Sequence, residues 1–160
     1  MAKIIALCGK ICSGKSTYAE KIKHEYNAVI LSVDTLMLML FDENLGDKHE
    51  EIFEKSKQYL WKMAKIIIAA DTNVILDFGL WTRCDRLETI DHFRCDEIQI
   101  EIHYINTPLE LIRRNVKKRN LFKDEFTYYI DETILDKCLN GFEEPDENEI
   151  DLEIKITAEF

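Results

Sequence analysis

Eight residues near the start of the chain have the types and spacing of a phosphate-binding loop. Gly9-Lys10-Ile11-Cys12-Ser13-Gly14-Lys15-Ser16, followed by Thr17, matches the pattern G-x-x-x-x-G-K-[ST]. The glycines allow the backbone to curl closely around a phosphate, so that main-chain N–H groups point inward at the start of a helix. In such a loop the lysine binds the β- and γ-phosphates, and the last hydroxyl is a ligand of Mg²⁺. Residues 9–17 are therefore predicted to bind a nucleoside triphosphate with Mg²⁺, with Lys15 and Ser16 in these roles.

The setting of this loop supports a functional match. The apolar run Ile4–Cys8 ends directly before it, and a helical pattern begins at Lys15, with Tyr18, Ala19 and Ile22 on one face. Strand, loop and helix therefore follow one another in the order that the motif requires.

Two aspartates come at the ends of later strand-like runs. Asp34 follows Ala28–Val33, and Asp77 lies near the end of Asn73–Phe78. Because sites in parallel sheets form at the carboxyl ends of strands, both carboxylates are expected at the mouth where the triphosphate lies. One would accept a proton from an acceptor hydroxyl, and the other would hold Mg²⁺ or its waters. The alternatives are a helix N-cap for Asp34, and a turn or cap role for Asp77.

Residues 113–125 are predicted to form a small lid that brings positive charge to the site. The segment from 113 to 123 holds six cations and no acid. Arginines of a closing lid stabilise the charge on a transferring phosphoryl group and exclude water. Arg119 is the first candidate, followed by Arg114 and Arg113, and the alternative is a solvated helix face.

Arg83 and Arg86 lie one helical turn apart, after Asp77. They are expected to face the same mouth and to bind donor phosphates or the acceptor. The alternative is a surface ion-pair face with Asp85 or Glu88.

Strand-like and helix-like segments alternate along the chain, which predicts a five-stranded, mainly parallel sheet with helices on both faces. Strands are predicted at Lys3–Cys8, Ala28–Val33, Asn73–Phe78, Ile98–Asn106 and Asp151–Thr157. Helices are predicted at about Lys15–Tyr26, Lys48–Ala70, Arg83–Phe93, Pro108–Arg119 and Phe126–Leu139. The 160 residues, 46% of them hydrophobic, suit a single domain spanning residues 1–160.

Composition limits the partners and the compartment. The net charge of −10 disfavours a general nucleic-acid binder, which needs a broad basic face. The five cysteines are odd in number and form no CxxC pair, so no disulfide framework or zinc site is indicated. Neither a signal peptide nor a membrane span is recognisable, and we expect a soluble, cytoplasmic protein.

Together these motifs resemble the small P-loop kinases of the AAA-domain ATP-binding group, related to zeta toxins, chloramphenicol phosphotransferase and polynucleotide 5′-kinases. The resemblance extends over nearly the whole chain. It is carried by the 9–17 loop, Ser32-x-Asp34, the segment 74–81 with Arg83 and Arg86, the pair Arg119-Asn120, and the segment 142–145 with Glu149.

The resemblance implies a P-loop three-layer α/β/α sandwich with strand order 2-3-1-4-5 and ATP with Mg²⁺ as donor. It further implies that Asp34 activates an acceptor hydroxyl, which leaves Asp77 for the metal, and that the loop at Pro145 lies near the adenine.

One position departs from the pattern. Relatives often carry an arginine three residues after the strand-two aspartate, and here that residue is Met37, within an apolar run from Leu36 to Phe41. A nucleic-acid end is therefore an improbable acceptor, and a small hydroxylated molecule fits better, although the apolar run can equally be core helix. The sequence leaves the oligomeric state open.

Other functions are less well supported. The chain has no DxxG or NKxD motif of a GTPase switch and no nucleophile elbow with a placed histidine. We therefore predict a kinase with an alcohol group as acceptor. The alternatives are a non-catalytic nucleotide-binding regulator and a polynucleotide 5′-hydroxyl kinase.

Overall fold

A five-stranded parallel sheet forms the centre of the protein. The computed structural model describes residues 1–125 and 127–158. The strands are β1 (Ile4–Cys8), β2 (Ala28–Ser32), β3 (Asn73–Gly79), β4 (Ile100–Asn106) and β5 (Leu152–Lys155). Their order is β2-β3-β1-β4-β5, and all four neighbouring pairs are parallel. The predicted sheet order is thus confirmed, with the sheet wholly rather than mainly parallel.

Six α-helices are found in the described residues. They are α1 (Lys15–Ile22), α2 (Val33–Leu40), α3 (His49–Ala69), α4 (Arg83–Arg94), α5 (Leu109–Leu121) and α6 (Glu132–Asn140). Five correspond to predicted helices, and α6 begins later than expected because Asp131 caps it by accepting a bond from the N–H of Ile134. Phe126, where that helix was predicted to begin, lies outside the described residues.

Helix α2 follows β2 without a loop and was considered only as an alternative from the sequence. Its N-cap is Ser32, whose side chain accepts a hydrogen bond of 3.3 Å from the N–H of Thr35. The alternative role of Asp34 as the cap is therefore wrong, and Asp34 lies in the first turn. Met37 is 1% exposed and belongs to the core, so the run containing it is core helix at this position, and Met37 is not a pocket wall.

Both faces of the sheet are covered by apolar helix faces. On one face, α2, α3 and α4 contribute Met37, Trp61 and Phe93, which pack against β-strand residues of the largest core cluster. On the other face, Ala19 and Ile22 of α1 pack against Ile5, Leu7 and Ile75. The result is the predicted three-layer α/β/α sandwich, in which the phosphate-binding loop follows the central strand β1.

A smaller apolar cluster joins α5 and α6 to the phosphate-binding loop. Ile112 and Val116 of α5 pack with Ile130 and Leu135, and Ile11 and Cys12 of the loop pack against them. The proposed lid therefore begins on a helix that is itself anchored to the loop. Within the described residues, no helix is both long and apolar enough to cross a membrane.

Candidate active site

Glycines shape the phosphate-binding loop as the motif requires. A Cβ on Gly9 would come within 2.7 Å of Ser13 Oγ and 2.9 Å of the Ile105 carbonyl oxygen, so only glycine fits there. Gly14 caps α1 with φ of 95°, a left-handed conformation that glycine adopts at little cost. The loop thus turns tightly enough to present the first N–H groups of α1, which lack partners within the helix, to an anion.

Side chains from other elements hold the loop from outside. Thr107, after β4, donates a hydrogen bond of 2.7 Å to the carbonyl of Ser13, and Asn115 of α5 donates one of 2.9 Å to the carbonyl of Cys12. The sequence placed Thr107 after the fourth strand but assigned neither residue a role, because a single polar side chain far along the chain gives no local signal of its partner. These bonds fix the loop before any ligand binds.

Lys15 lies inside the loop that it was predicted to serve. Its Nζ donates to the carbonyl oxygens of Gly9 at 3.0 Å and Lys10 at 2.7 Å. Burial lowers the pKa of Lys15, whereas the charges of Asp77 and Asp34 favour its protonated form. The ammonium group is therefore held at the opening of the cradle, beside both predicted carboxylates.

Ser16 and Asp77 meet directly. The Ser16 hydroxyl donates a hydrogen bond of 2.6 Å to Asp77 Oδ2. A hydroxyl and a carboxylate are hard oxygen ligands that suit Mg²⁺, which usually binds one or two protein oxygens together with water and phosphate. Among the described residues, no group of three or more His, Cys, Asp or Glu side chains is arranged to hold a metal. The pair fits a magnesium ion that depends on phosphate oxygens for its other ligands.

Asp34 opens into the same cavity as Lys15 and Asp77. Asp34 is exposed toward the open cavity. Desolvation by the surrounding residues, together with the charge of Asp77, raises the pKa of Asp34 above its ordinary value, while Lys15 and Arg119 act in the opposite direction. A carboxylate with a raised pKa is a better proton acceptor than an ordinary one.

Arg119 is the lid arginine that reaches the cavity. Its Nη1 lies 3.6 Å from Cys12 Sγ, and its Nε is buried without a hydrogen-bond partner in the described structure. A buried guanidinium nitrogen with unused bonding capacity suits an incoming phosphate oxygen.

The other lid arginines lie elsewhere. Arg113 binds Glu132 of α6 at 3.0 Å, and Arg114 is exposed; neither lines the cavity among the described residues.

Arg86 does not face the mouth, contrary to the expectation from the sequence. It is 1% exposed, and its Nη1 donates to the carbonyls of Leu80 at 3.2 Å and Glu143 at 3.0 Å. Its Nε lies 3.3 Å from Glu149 Oε1. Neither Asp85 nor Glu88 is its partner, so the alternative ion pairs are also absent within the described part of the chain. Arg86 instead fastens the 143–149 loop to the start of α4.

Arg83 and Pro145 also lie outside the cavity lining. Arg83 is largely exposed, with Nε 3.8 Å from Glu149. The loop that carries Pro145 is attached beside the phosphate-binding loop, because Lys10 Nζ lies 2.8 Å from Glu144. The proximity of Pro145 to adenine stays a prediction.

One cavity of about 1180 Å³ connects these groups. It extends from the phosphate-binding loop across the ends of β3 and β2 toward α3 and α4. Its lining also includes residues to which the sequence assigned no binding role: His49, Phe53, Lys57, Trp81, Asp85 and Tyr128. The space is large enough for two small ligands in contact.

Comparisons with known proteins identify the family and the fold. A family model described as "AAA domain" matches residues 4–145. No curated protein matches the chain.

Several solved structures share the fold. Kti12 of Chaetomium thermophilum, in complex with ADP-AlF3, is 16% identical with a TM-score of 0.73, covering 96% of this chain and 88% of that one. The APS kinase CysC of Mycobacterium tuberculosis, in complex with AMPPNP and APS, is 18% identical with a TM-score of 0.67, covering 96% and 88%. A gluconokinase of Sinorhizobium meliloti is 13% identical with a TM-score of 0.68, covering 98% and 83%.

Proposed function

This chain belongs to the AAA domain family, and on that premise we propose that it is an ATP- and Mg²⁺-dependent kinase. It transfers the γ-phosphoryl group to a hydroxyl of a small-molecule acceptor. The fold is that of P-loop kinases, and nucleotide binding is implied by the family. The acceptor hydroxyl, the metal and the roles of individual residues are our proposals.

The observation that carries the proposal is the meeting of three charged groups in one cavity. Lys15 lies at the phosphate cradle, Asp34 has a raised pKa beside it, and Arg119 enters from α5 with an unpartnered Nε. A protein that only bound nucleotide would need the cradle but would gain nothing from a basic carboxylate facing open space next to it.

These residues divide the work of phosphoryl transfer. Lys15 and the N–H groups at the start of α1 hold the donor phosphates. Asp34 accepts the proton of the acceptor hydroxyl as its oxygen attacks the γ-phosphorus and the bond to the leaving phosphate oxygen breaks. Arg119 stabilises the charge on the transferring group and helps to exclude water.

Ser16 and Asp77 would hold Mg²⁺ directly or through its waters. The bound ion would neutralise charge on the donor phosphates. Since these two side chains already share a hydrogen bond of 2.6 Å, little reorganisation is needed to present both oxygens together.

A transfer assay with γ-labelled ATP tests the proposal. The acceptor panel contains nucleosides, sugars, aminoglycosides and a 5′-hydroxyl oligonucleotide, with Lys15→Ala as the inactive control. Labelled product from one small-molecule class supports the kinase. Label on the oligonucleotide would indicate a polynucleotide 5′-kinase, and tight ATP binding with no labelled product would indicate the regulatory alternative.

A further inference from the structure

We propose that the acceptor carries no anionic group, and that an amine-bearing acceptor binds better than a neutral one of the same shape. This inference rests on the proposed kinase function and concerns the acceptor end of the cavity. We define the acceptor end as the part of the cavity lining formed by His49, Phe53, Lys57, Trp81, Asp85 and Thr89, outside the phosphate-binding loop and α5.

The one lysine of this wall is already neutralised. Lys57 is 8% exposed, and its Nζ lies 2.8 Å from Glu54 and 2.9 Å from Glu88. Two carboxylates surround one ammonium group, so the trio carries a net negative charge. An acceptor phosphate or carboxylate would have to compete with both of them for this cation.

The arginines predicted to grip the acceptor are occupied elsewhere. Arg86 is buried against carbonyl oxygens and Glu149, and Arg83 lies outside the lining, near Asp146 and Glu149. Among the described lining residues, the remaining lysines and arginine are Lys15, Lys118 and Arg119, at the loop and on α5, where the donor phosphates are proposed to bind. Apart from the imidazole of His49, the acceptor end has no further basic side chain in the described structure.

The rest of the wall favours positive or neutral groups. Asp34 supplies a carboxylate, Asp85 supplies a second one that also accepts the N–H of Thr82 at 2.9 Å, and Phe53 and Trp81 supply aromatic surface. An anion placed here would lose its hydration without gaining a cation, which is costly. An ammonium group would gain from both the carboxylates and the ring faces. The flat rings also suit the apolar face of a sugar or a base.

Matched acceptors that differ only in charge test the inference. We would measure kcat/KM with γ-labelled ATP for glucosamine, glucose and glucuronate, for cytidine and cytidine 3′-monophosphate, and for kanamycin. We expect label on at least one neutral or amine-bearing compound, and a kcat/KM at least tenfold lower for its anionic counterpart. We further expect a higher kcat/KM for glucosamine than for glucose. The inference is overturned by equal or faster transfer to an anionic member, by slower transfer to glucosamine than to glucose, or by label on none of the neutral and amine-bearing compounds.

A charge added to the acceptor end gives the reverse test. His49→Arg places a permanent cation in the cavity wall, and Thr35→Arg does so from α2 should the first variant fold poorly. Either variant should raise the ratio of anionic to neutral acceptor kcat/KM about tenfold, whereas Lys48→Arg, outside the lining, should leave it unchanged. An unchanged ratio in a folded variant contradicts the assigned acceptor end.

Nucleotide binding separates this inference from the proposed function. Calorimetry with AMPPNP and Mg²⁺ on the wild-type protein measures nucleotide binding at the phosphate-binding loop, independently of any acceptor. If binding is absent, the kinase proposal fails. If binding is present and label reaches only anionic acceptors, the kinase stands and the acceptor inference fails.

Discussion

At the scale of single residues, the site brings together charges that oppose one another. Asp34 and Asp77 are like charges that share one cavity, and Lys15 lies close enough to affect both. Desolvation and Asp77 raise the pKa of Asp34, so the folded protein holds the proton of Asp34 more tightly than the unfolded chain does. The same arrangement that makes Asp34 a good base therefore costs stability when it is ionised.

Asp34→Asn should separate these two effects. We expect kcat to fall by about 10² to 10⁴, the usual contribution of a positioned base, while AMPPNP binding persists. We also expect a higher Tm at neutral pH, because the ionised carboxylate no longer destabilises the fold. Transfer assays check the first outcome and thermal unfolding checks the second. Asp42→Asn, outside the cavity lining, is the control. If Asp34→Asn transfers phosphate at the wild-type rate, Asp34 is not the base.

The pH dependence follows from the raised pKa of Asp34. Its destabilising effect is absent below the ordinary carboxyl value and develops as pH rises from that value through the raised one. The Tm advantage of Asp34→Asn should therefore shrink as the pH is lowered through the raised value and vanish once the pH is below the ordinary one. The ascending limb of kcat/KM against pH should likewise lie above the range of an ordinary aspartate. An ascending limb at the ordinary pKa of an aspartate would contradict the assignment of Asp34 as the base.

Arg119→Ala should reduce kcat by about 10³ and change nucleotide affinity much less, since its guanidinium is proposed to act on the transferring group. Lys117→Ala is the matched control, because Lys117 is an exposed cation on the same helix outside the cavity lining. Equal effects from the two substitutions would show that α5 contributes only general positive charge.

At the scale of elements, a single carboxylate links the lid to the opposite side of the cavity. Glu43, after α2, accepts a hydrogen bond of 2.6 Å from the N–H of Tyr129 and lies 2.9 Å from Lys123 Nζ. Both contacts lower the pKa of Glu43, with the backbone bond as the largest single cause. Lys123 of the lid, together with Tyr129 beyond it, is therefore held to the segment that follows the proposed base.

Glu43→Gln should loosen this attachment. Acceptor-independent ATP hydrolysis should rise about threefold to tenfold, because a lid that opens more often admits water. The structural effect should be small, since exposed ion pairs contribute at most about 1 kcal/mol. A phosphate-release assay without acceptor measures the rate of ATP hydrolysis. Glu50→Gln, at the exposed start of α3, is the control. An unchanged or lower hydrolysis rate in Glu43→Gln would contradict a role for Glu43 in keeping the lid closed.

The sequence predicted most at this scale where the signal is local. The strand, loop and helix around Lys15 could be predicted from adjacent residues. The order of the strands in the sheet came from the family resemblance. Arg86 could not be placed, because its partner Glu149 is 63 residues away and only the folded chain brings the two together. Met37 was equally ambiguous, since an apolar run fits a pocket wall or a core until α2 is packed.

At the scale of the whole molecule, Arg86 connects the helix after β3 to the segment before β5. Its guanidinium is buried and satisfied by carbonyl oxygens and by Glu149, which is itself nearly buried. Removing one member of such a buried pair leaves a charge without a partner, which costs about 3 to 5 kcal/mol.

Arg86→Ala should therefore lower the free energy of unfolding by about that amount, as measured by urea denaturation. Arg83→Ala, three residues earlier and largely exposed, should cost less than about 1 kcal/mol. The loss of unfolding free energy for Glu149→Gln should lie between those of the two arginine variants, because the amide retains part of the hydrogen bonding. If Arg86→Ala and Arg83→Ala lower the free energy of unfolding by similar amounts, the buried contacts of Arg86 do not stabilise the fold more than an exposed ion pair does.

The contact between Arg86 and Glu149 also has a consequence for folding during synthesis. Arg86 leaves the ribosome 63 residues before Glu149, so the nascent chain must carry an uncompensated guanidinium at the edge of its forming core. We therefore expect α4 to dock stably only after the acidic 143–149 loop has emerged, because that loop supplies two of the native partners of Arg86. Limited proteolysis of nascent chains that end before residue 143 should then cut within α4, and protection of α4 in those chains would contradict this order.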